Sequence, residues 1–514
     1  IMKNYFEKIE NLSPERPRRS VYPLDHSRTQ TQSLGALTPS FFLEVVPGDT
    51  IKFGTSVFGR ANSMLAPIMH NVDIHTQYFY VPYRICSDNF SKMVNDPRDT
   101  TAILPNVSLS EVITHWATFG NYFNIGSLAD YLGLPCKRLL DIARHSSQLY
   151  GDEVIHTLDF IAYQLIWHYW YQPRYLDEWK DYEENNVPYL RQLTSFSGSI
   201  GSEIVDMLSL KYAPWELDYF TRCTREPQLG DPVQFPFSGS APVVNGSADF
   251  DNPNAVVNTL LRDVYTAVDI ERWLTKQNAA QGDYRETILQ HFGVWNNDGR
   301  LQRPEYLGQT STRFLTSEVA ATADSESTNV GDLSGKSQVF DSSRNFEYSP
   351  TEHGVIIGLS YILPETMYFQ GLDRHFTRLS TFDWPFPEFQ NLDNQAVKES
   401  EIYLCSQADT QGNEDIFGYQ ERYGEFKQKT STIHGYMTDY LNYWNMARDF
   451  GSAPTLGPIF NTCYPWYNNL NRAFSTITDN SKVNTHNFEL HFNNRCTAIR
   501  PFDYGGQPHT LKID

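Results

Sequence analysis

Glu365 and Asp373, which follow the most regular apolar run of the chain, are the acids from which hydrolytic chemistry could be built. A glycoside hydrolase needs two carboxyl groups at a set separation, one acting as acid and one as base or nucleophile. Linear spacing does not fix that separation, and acids beside an apolar strand are ordinarily surface charges or ion-pair partners, the role expected here. Metal chemistry has less to draw on. His70 and His75 lie five residues apart and would face opposite sides of one strand. No GxSxG, HExxH, P-loop or dinucleotide fingerprint occurs. Asn296-Asn297-Asp298-Gly299 reads as a turn in preference to a calcium loop. The cysteines at 86, 136, 223, 405, 463 and 496 form no close pair, which predicts free thiols in a reducing compartment. No catalytic residue, metal or cofactor is assigned.

Contact chemistry is better supplied. A formal charge of −20 repels polyanions, so any nucleic acid must be met locally. The sign reverses in residues 1–19, where Lys3, Lys8, Arg16, Arg18 and Arg19 against Glu7, Glu10 and Glu15 leave a basic arm of +2. Pro14, Pro17 and Pro23 keep this stretch extended. Those five cations are the DNA-facing candidates, with aromatic side chains elsewhere available to stack unpaired bases; the alternative is a solvated arm that binds nothing. Arg303-Pro304-Glu305-Tyr306 and Tyr419-Gln420-Glu421-Arg422-Tyr423 combine the residue types enriched at interface hot spots. Arg303, Tyr306, Tyr419, Arg422 and Tyr423 are therefore the subunit-contact candidates, against an internal ion pair or plain core packing.

The elements that must position these residues read mainly as strands. Aromatic residues make up 14% of the chain, with 31 Tyr and 32 Phe, a bias toward β structure. Strands are predicted at SFFLEVV, then after a Pro47-Gly48-Asp49 turn at IKFGTSVF, and at VDIHTQYFYVP, where Val72, Ile74, Tyr78 and Tyr80 share a face. The pattern returns at HGVIIGLSYIL, with Val355, Ile357, Leu359, Tyr361 and Leu363 alternating, and at HNFELHFNNRCTAIRP, with Phe488, Leu490 and Phe492. In a single domain, early and late strands would have to pair across hundreds of residues.

Helical stretches are inserted between these strands, which argues against a doubly wound α/β fold. Ser127 is the expected N-cap of LADYLGL, KRLLDIARHSSQL follows, and LDFIAYQLIWHYWY is aromatic on nearly every side. Asn252-Pro253 opens an amphipathic helix, and another runs from Asp283 to Gly293. Residues 231–254 and 317–343 have loop composition and are expected as surface loops or linkers. No apolar run fits a signal peptide or a membrane helix, so the expectation is a soluble protein made in a cytoplasm.

Read in order, VVPGDTIKF at 45–53, YFYVPYRICSDNF at 78–90, IGSLADYLGLP at 125–135, AYQLIWHYWYQPR at 162–174, DYFTRCTREPQLGDPV at 218–233, LQRPEYLG at 301–308, HGVIIGLSYILPETMYFQGLDRHFTR at 353–378 and IFGYQERYGEFK at 416–427 resemble the major capsid proteins of microviruses, especially the gokushovirus-like branch. The resemblance implies one domain over 1–514, a single eight-stranded antiparallel jelly roll with long helical and loop insertions. It also implies copies assembled into an icosahedral shell around a circular single-stranded DNA genome, a small basic DNA-packaging protein and a host surface receptor as partners, and a virion made in a bacterial cytoplasm. The segment after the DYFT block is a variable insertion in such proteins; it corresponds to 231–254, is short here, and is expected as a low loop. A carbohydrate-binding β-sandwich or glycoside hydrolase is the other reading, since aromatic-rich jelly rolls also host those functions.

Overall fold

The computed structural model describes residues 19–95, 102–145, 149, 153–173, 207–227, 270, 303–320, 331, 333–341, 344–390, 394–407, 409–474 and 486–502. Five strands come first: β1 (Ser20–Pro23), β2 (His26–Gln32), β3 (Thr38–Val45), β4 (Thr50–Ala61) and β5 (Val72–Pro82). The short β6 (Asn106–Ser108) and β7 (Val154–His156) pair among helices. Then follow β8 (Glu305–Arg313), β9 (Leu315–Ala320), β10 (Leu333–Phe340), β11 (Phe346–Tyr348) and β12 (Gly354–Pro364). The small strands β13 (Met367–Tyr368), β14 (Gln395–Lys398), β15 (Ile416–Gln420) and β16 (Ser431–Thr432) precede the long final β17 (Phe488–Arg500).

Two antiparallel sheets dominate this mainly β structure. One runs β1-β17-β4-β10-β9, with β2 also on β17 and β11 also on β4; the other runs β3-β12-β5-β8. Early and late strands do pair: Ser20 lies opposite Arg500, and Gln32 opposite Phe488. The two sheets meet through Phe41, Phe53, Tyr78, Ile356 and Cys496, with the Phe41 and Phe53 rings stacked at 5.3 Å. The Pro47-Gly48-Asp49 turn is the corner where the chain leaves the smaller sheet for the larger. Gly48 takes φ 85°, and Asp49 Oδ2 accepts from the Val46 amide at 3.1 Å, which closes the turn.

Burial follows from these layers. Along β17 inward and outward residues alternate, so Phe488, Leu490 and Phe492 face the core as the period of two requires. On β12 every residue is buried, and the alternation expected from Val355 to Leu363 does not divide inside from outside. One face of its sheet meets the other sheet, while the opposite face meets helix Leu158–Trp170, whose Tyr163 hydroxyl donates to the Leu37 carbonyl at 2.8 Å. Likewise Phe79 and Val81 of β5 are buried along with Tyr78 and Tyr80.

Two local expectations change. Within residues 317–343, read as a surface loop, 317–320 and 333–340 belong to an antiparallel pair of β9 and β10, with Leu315 opposite Gln338 and Ala320 opposite Leu333; residues 321–330 lie outside the described residues. At a sheet edge few side chains are buried, so a Ser- and Thr-rich sequence suffices for a strand and mimics a loop. Ser127 does precede helix Leu128–Leu132, but its hydroxyl makes no capping bond; Asp130 reaches back to the Gly126 amide instead, at 3.0 Å. Residues 231–254 and the helices expected after Asn252-Pro253 and from Asp283 to Gly293 lie outside the described residues.

Candidate functional site

Two of the contact candidates converge on a cavity. Arg422 and Tyr423 follow β15, with Tyr423 in the left-handed region at φ 63°. That conformation is held from two sides: the Tyr423 amide donates to Gln395 Oε1 at 2.9 Å, and its hydroxyl accepts from the Phe386 amide at 3.2 Å. Both residues line a polar cavity of about 190 Å³ together with Arg374, Arg378, Glu401 and Glu425. Arg374 donates to Glu401 Oε1 at 3.1 Å, and Arg378 to Glu425 Oε1 at 2.8 Å. Burial pushes the Glu401 carboxyl up, against the opposing pull of Arg374. Counting Lys398 and Asp383, the lining holds four cations and three acids, one net positive charge. Arg422 is the cation without a carboxylate partner among the described residues, and its buried Nε has no hydrogen-bond partner.

The other candidates stand apart from this cavity. Tyr419 is tied into the backbone, exchanging hydrogen bonds with Thr224 at 2.7 and 2.8 Å. Tyr306, partly exposed on β8, packs its ring 5.6 Å from both Phe79 and Trp170. Arg303 lies over the Trp170 ring at 5.5 Å, a cation–ring contact in place of the internal ion pair considered from sequence. Glu305 instead accepts from the Tyr348 hydroxyl at 2.5 Å.

Of the basic arm, Arg19 alone is described; Lys3, Lys8, Arg16 and Arg18 lie outside the described residues. Arg19 is exposed beside the sheet-switching turn, where a Cβ on Gly48 would stand 3.4 Å from its guanidinium. Asp49 is the acid of that turn. Burial raises its carboxyl, while the Val46 amide, Arg500 (Nε at 3.5 Å) and Arg19 pull the other way.

The two hydrolytic candidates are held as ion-pair and hydrogen-bond partners. Glu365 accepts from Asn71 and Ser431, both at 2.7 Å, and its carboxyl is lowered by the Ser431 bond. Asp373 is at about 2, a depression its partial burial opposes; Lys429 at 2.8 Å and His375 at 3.0 Å outweigh that burial. Carboxylates held so firmly ionised do not serve as general acids near neutrality. His70 Nε2 donates to the Glu365 backbone carbonyl at 2.8 Å, and His75 stacks on Tyr361 at 5.0 Å. No cluster of three metal-ligating side chains occurs among the described residues, and no helix there is long and apolar enough to cross a membrane.

Residues that sequence reasoning passed over surround the cavity. The stretch from Leu372 to Phe389 forms short 3-10 turns, with Phe376, Leu379, Trp384 and Phe386 exposed. Arg378 joins Trp384 to Phe426, lying 5.9 Å and 4.6 Å from the two rings. The signal was the dense run FTRLSTFDWPFPEF, which has neither helical nor strand period. Elsewhere in the 365–487 segment, Arg448 is fully buried, bonded to Asn468, Tyr368 and the Phe460 carbonyl, and its charge is balanced through Tyr368, whose hydroxyl donates to Asp218 at 2.7 Å.

The family model described as capsid protein (F protein) matches residues 11–265 and 249–508. The chain is similar to the capsid protein VP1 of Chlamydia phage 1, 27% identical over an alignment of 618 positions that covers 100% of this chain and 98% of the relative. It is 28% identical over 503 positions to the capsid protein VP1 of Bdellovibrio phage phiMH2K, covering 86% and 87% of the two chains. With the capsid protein VP1 of Spiroplasma virus 4 the identity is 25% over 566 positions, covering 97% and 96%.

Proposed function

The chain belongs to the phage capsid protein (F protein) family, a family of virion structural proteins and not of enzymes, and from that premise we propose that its copies close into an icosahedral shell around a circular single-stranded DNA genome. The observation that carries this reading is the strand order. Counting β1 with β2 as one strand and β10 with β11 as another, the larger sheet is first, eighth, third and sixth, and the smaller is second, seventh, fourth and fifth. That order supports an eight-stranded jelly roll, the double-sheet architecture of viral capsid domains. The hairpin strand β9 is an addition to it.

In this reading 1–514 is one unit, and residues 83–304 and 365–487 are insertions between neighbouring strands of the roll. The alignment with the Chlamydia phage 1 protein is longer than this chain, so that relative carries residues opposite gaps here; in this reading 231–254 is a short outer insertion. Lys3, Lys8, Arg16, Arg18 and Arg19 reach toward the genome, and since the chain is at −20 a small basic packaging protein supplies further counter-charge. Synthesis in the host bacterial cytoplasm fits the free cysteines, and a surface receptor on the host is the remaining partner. Arg303, Tyr306, Tyr419, Arg422 and Tyr423 are contact residues between copies.

Purified protein under assembly conditions is expected to sediment as a large closed particle and to appear as uniform shells in negative stain. A persistent monomer that binds polysaccharide would overturn the shell in favour of a sugar-binding sandwich. Replacing Arg16, Arg18 and Arg19 with Glu is expected to lower nucleic-acid content per particle while shell yield holds; equal content would remove the arm from that role.

A further inference from the structure

We infer that the aromatic turns around the Arg422 cavity are a docking face for a second copy of this chain, an inference that rests on the shell reading and names one of its contacts. Phe376, Leu379, Trp384, Phe386 and Phe426 are exposed by 66%, 92%, 53%, 41% and 57%. At roughly 150–250 Å² per large side chain, this amounts to about 600 Å² of apolar surface. A monomer's largest patch is about 300–600 Å², and one partner of a standard interface buries about 800 Å². The face therefore sits at the upper limit for a free surface and supplies most of what one side of a stable contact needs.

Its geometry is that of an anchor. Arg378 is 8% exposed in its side chain, is paired to Glu425 at 2.8 Å, and lies against both Trp384 and Phe426, so these rings are held by a fixed cation. Tyr423 pins Phe386 through both backbone groups, accepting from its amide and donating to its carbonyl at 3.3 Å. Rings fixed before contact lose little conformational freedom on docking, which is what makes aromatic hot spots effective.

Charge selects the occupant. Around the cavity enclosed by these turns Arg374 and Arg378 are paired to Glu401 and Glu425, Lys398 is paired to Glu414 just outside the lining at 2.6 Å, and the cation left over is Arg422. The chain as a whole is at −20, so a sister copy presents mostly carboxylates, and one of these entering the cavity would satisfy the Arg422 guanidinium. The contact is heterologous: an aromatic face with a basic cavity on one copy meets an acidic edge on the next, the arrangement that closes rings around a symmetry axis.

The test is the critical concentration for shell assembly of the full chain, read by light scattering, for Trp384→Ser with Phe426→Ser and, separately, for Arg422→Glu. Each is expected to raise it at least tenfold, with the Arg422→Glu effect shrinking in high salt, while the melting of unassembled subunits is unchanged. Assembly of both at the parental concentration overturns the inference and leaves the shell reading standing; so does normal assembly with lost genome, which would make the face a base-stacking surface. If the parent forms no shells at all, the shell reading falls and takes this face with it. Should a variant fail to fold, a reconstruction of the parental particle decides, since Trp384 must lie against a neighbouring copy and a solvent-facing Trp384 refutes the contact.

Discussion

Glu399 is a carboxyl with little reason to be ionised. It is buried, its Oε1 has no hydrogen-bond partner among the described residues, and burial together with the charge of Asp415 pushes it up to about 7. An ordinary glutamate is near 4.5, so the folded state keeps a proton that the unfolded chain releases between about 4.5 and 7. The neutral carboxyl's stabilisation is complete below about 4.5 and is lost as pH climbs through about 7. Glu399→Gln is therefore expected to raise stability by about 1–2 kcal/mol at pH 8, to change little at pH 4, and to flatten the pH dependence between. Denaturant melts of the unassembled subunit across that range check this, and parallel curves for parent and variant would contradict it. Nothing in KESEIYLC marks this acid as buried: it sits two residues from Glu401, which Arg374 and Tyr219 do satisfy, and only the packing tells the two apart.

At the scale of elements, β17 is the strand whose loss the fold tolerates least. It is central in the larger sheet, pairing β4 on one side and β1 and β2 on the other. Its alternation was readable as far as Phe492; Asn494 then breaks the apolar pattern and looks like an outward residue. It is instead buried, accepting from the Thr55 hydroxyl at 2.6 Å and donating to the Ser40 carbonyl at 3.1 Å, so it ties β17 to β4 and across to the smaller sheet. Asn494→Leu would leave the Thr55 hydroxyl and the Ser40 carbonyl unpaired in the core, an expected loss of about 2–4 kcal/mol in a denaturant melt. A change below about 0.5 kcal/mol would show that water reaches these groups.

At the scale of the whole molecule, the pairing of residues 20–32 with 488–500 means that the larger sheet is not complete until β17 has been made. Closing so long a loop is slow, and until it happens β4 presents an open edge. A chain ended before Phe488 is expected to keep the smaller sheet and its helices in a protease-sensitive, aggregation-prone form, and addition of a peptide spanning 486–502 is expected to restore resistance in part. Limited proteolysis with and without the peptide checks this; a truncated chain as resistant as the parent would show that the larger sheet closes without its central strand.

By itself, the sequence determined that the chain is mainly β, where its five strongest strands run, and, through co-linear blocks from 45 to 427, which family it resembles. Those properties are local: a period of two, a Pro-Gly-Asp turn and short recurring strings need only neighbours along the chain. The tertiary structure decided which residues share an environment. It gathered Arg422, Tyr423, Arg378 and Trp384 around one cavity, moved Arg303 and Tyr306 to a separate aromatic cluster, and made an edge hairpin of a loop-like segment. Burial and charge pairing depend on partners tens to hundreds of residues away, and no window of sequence contains them.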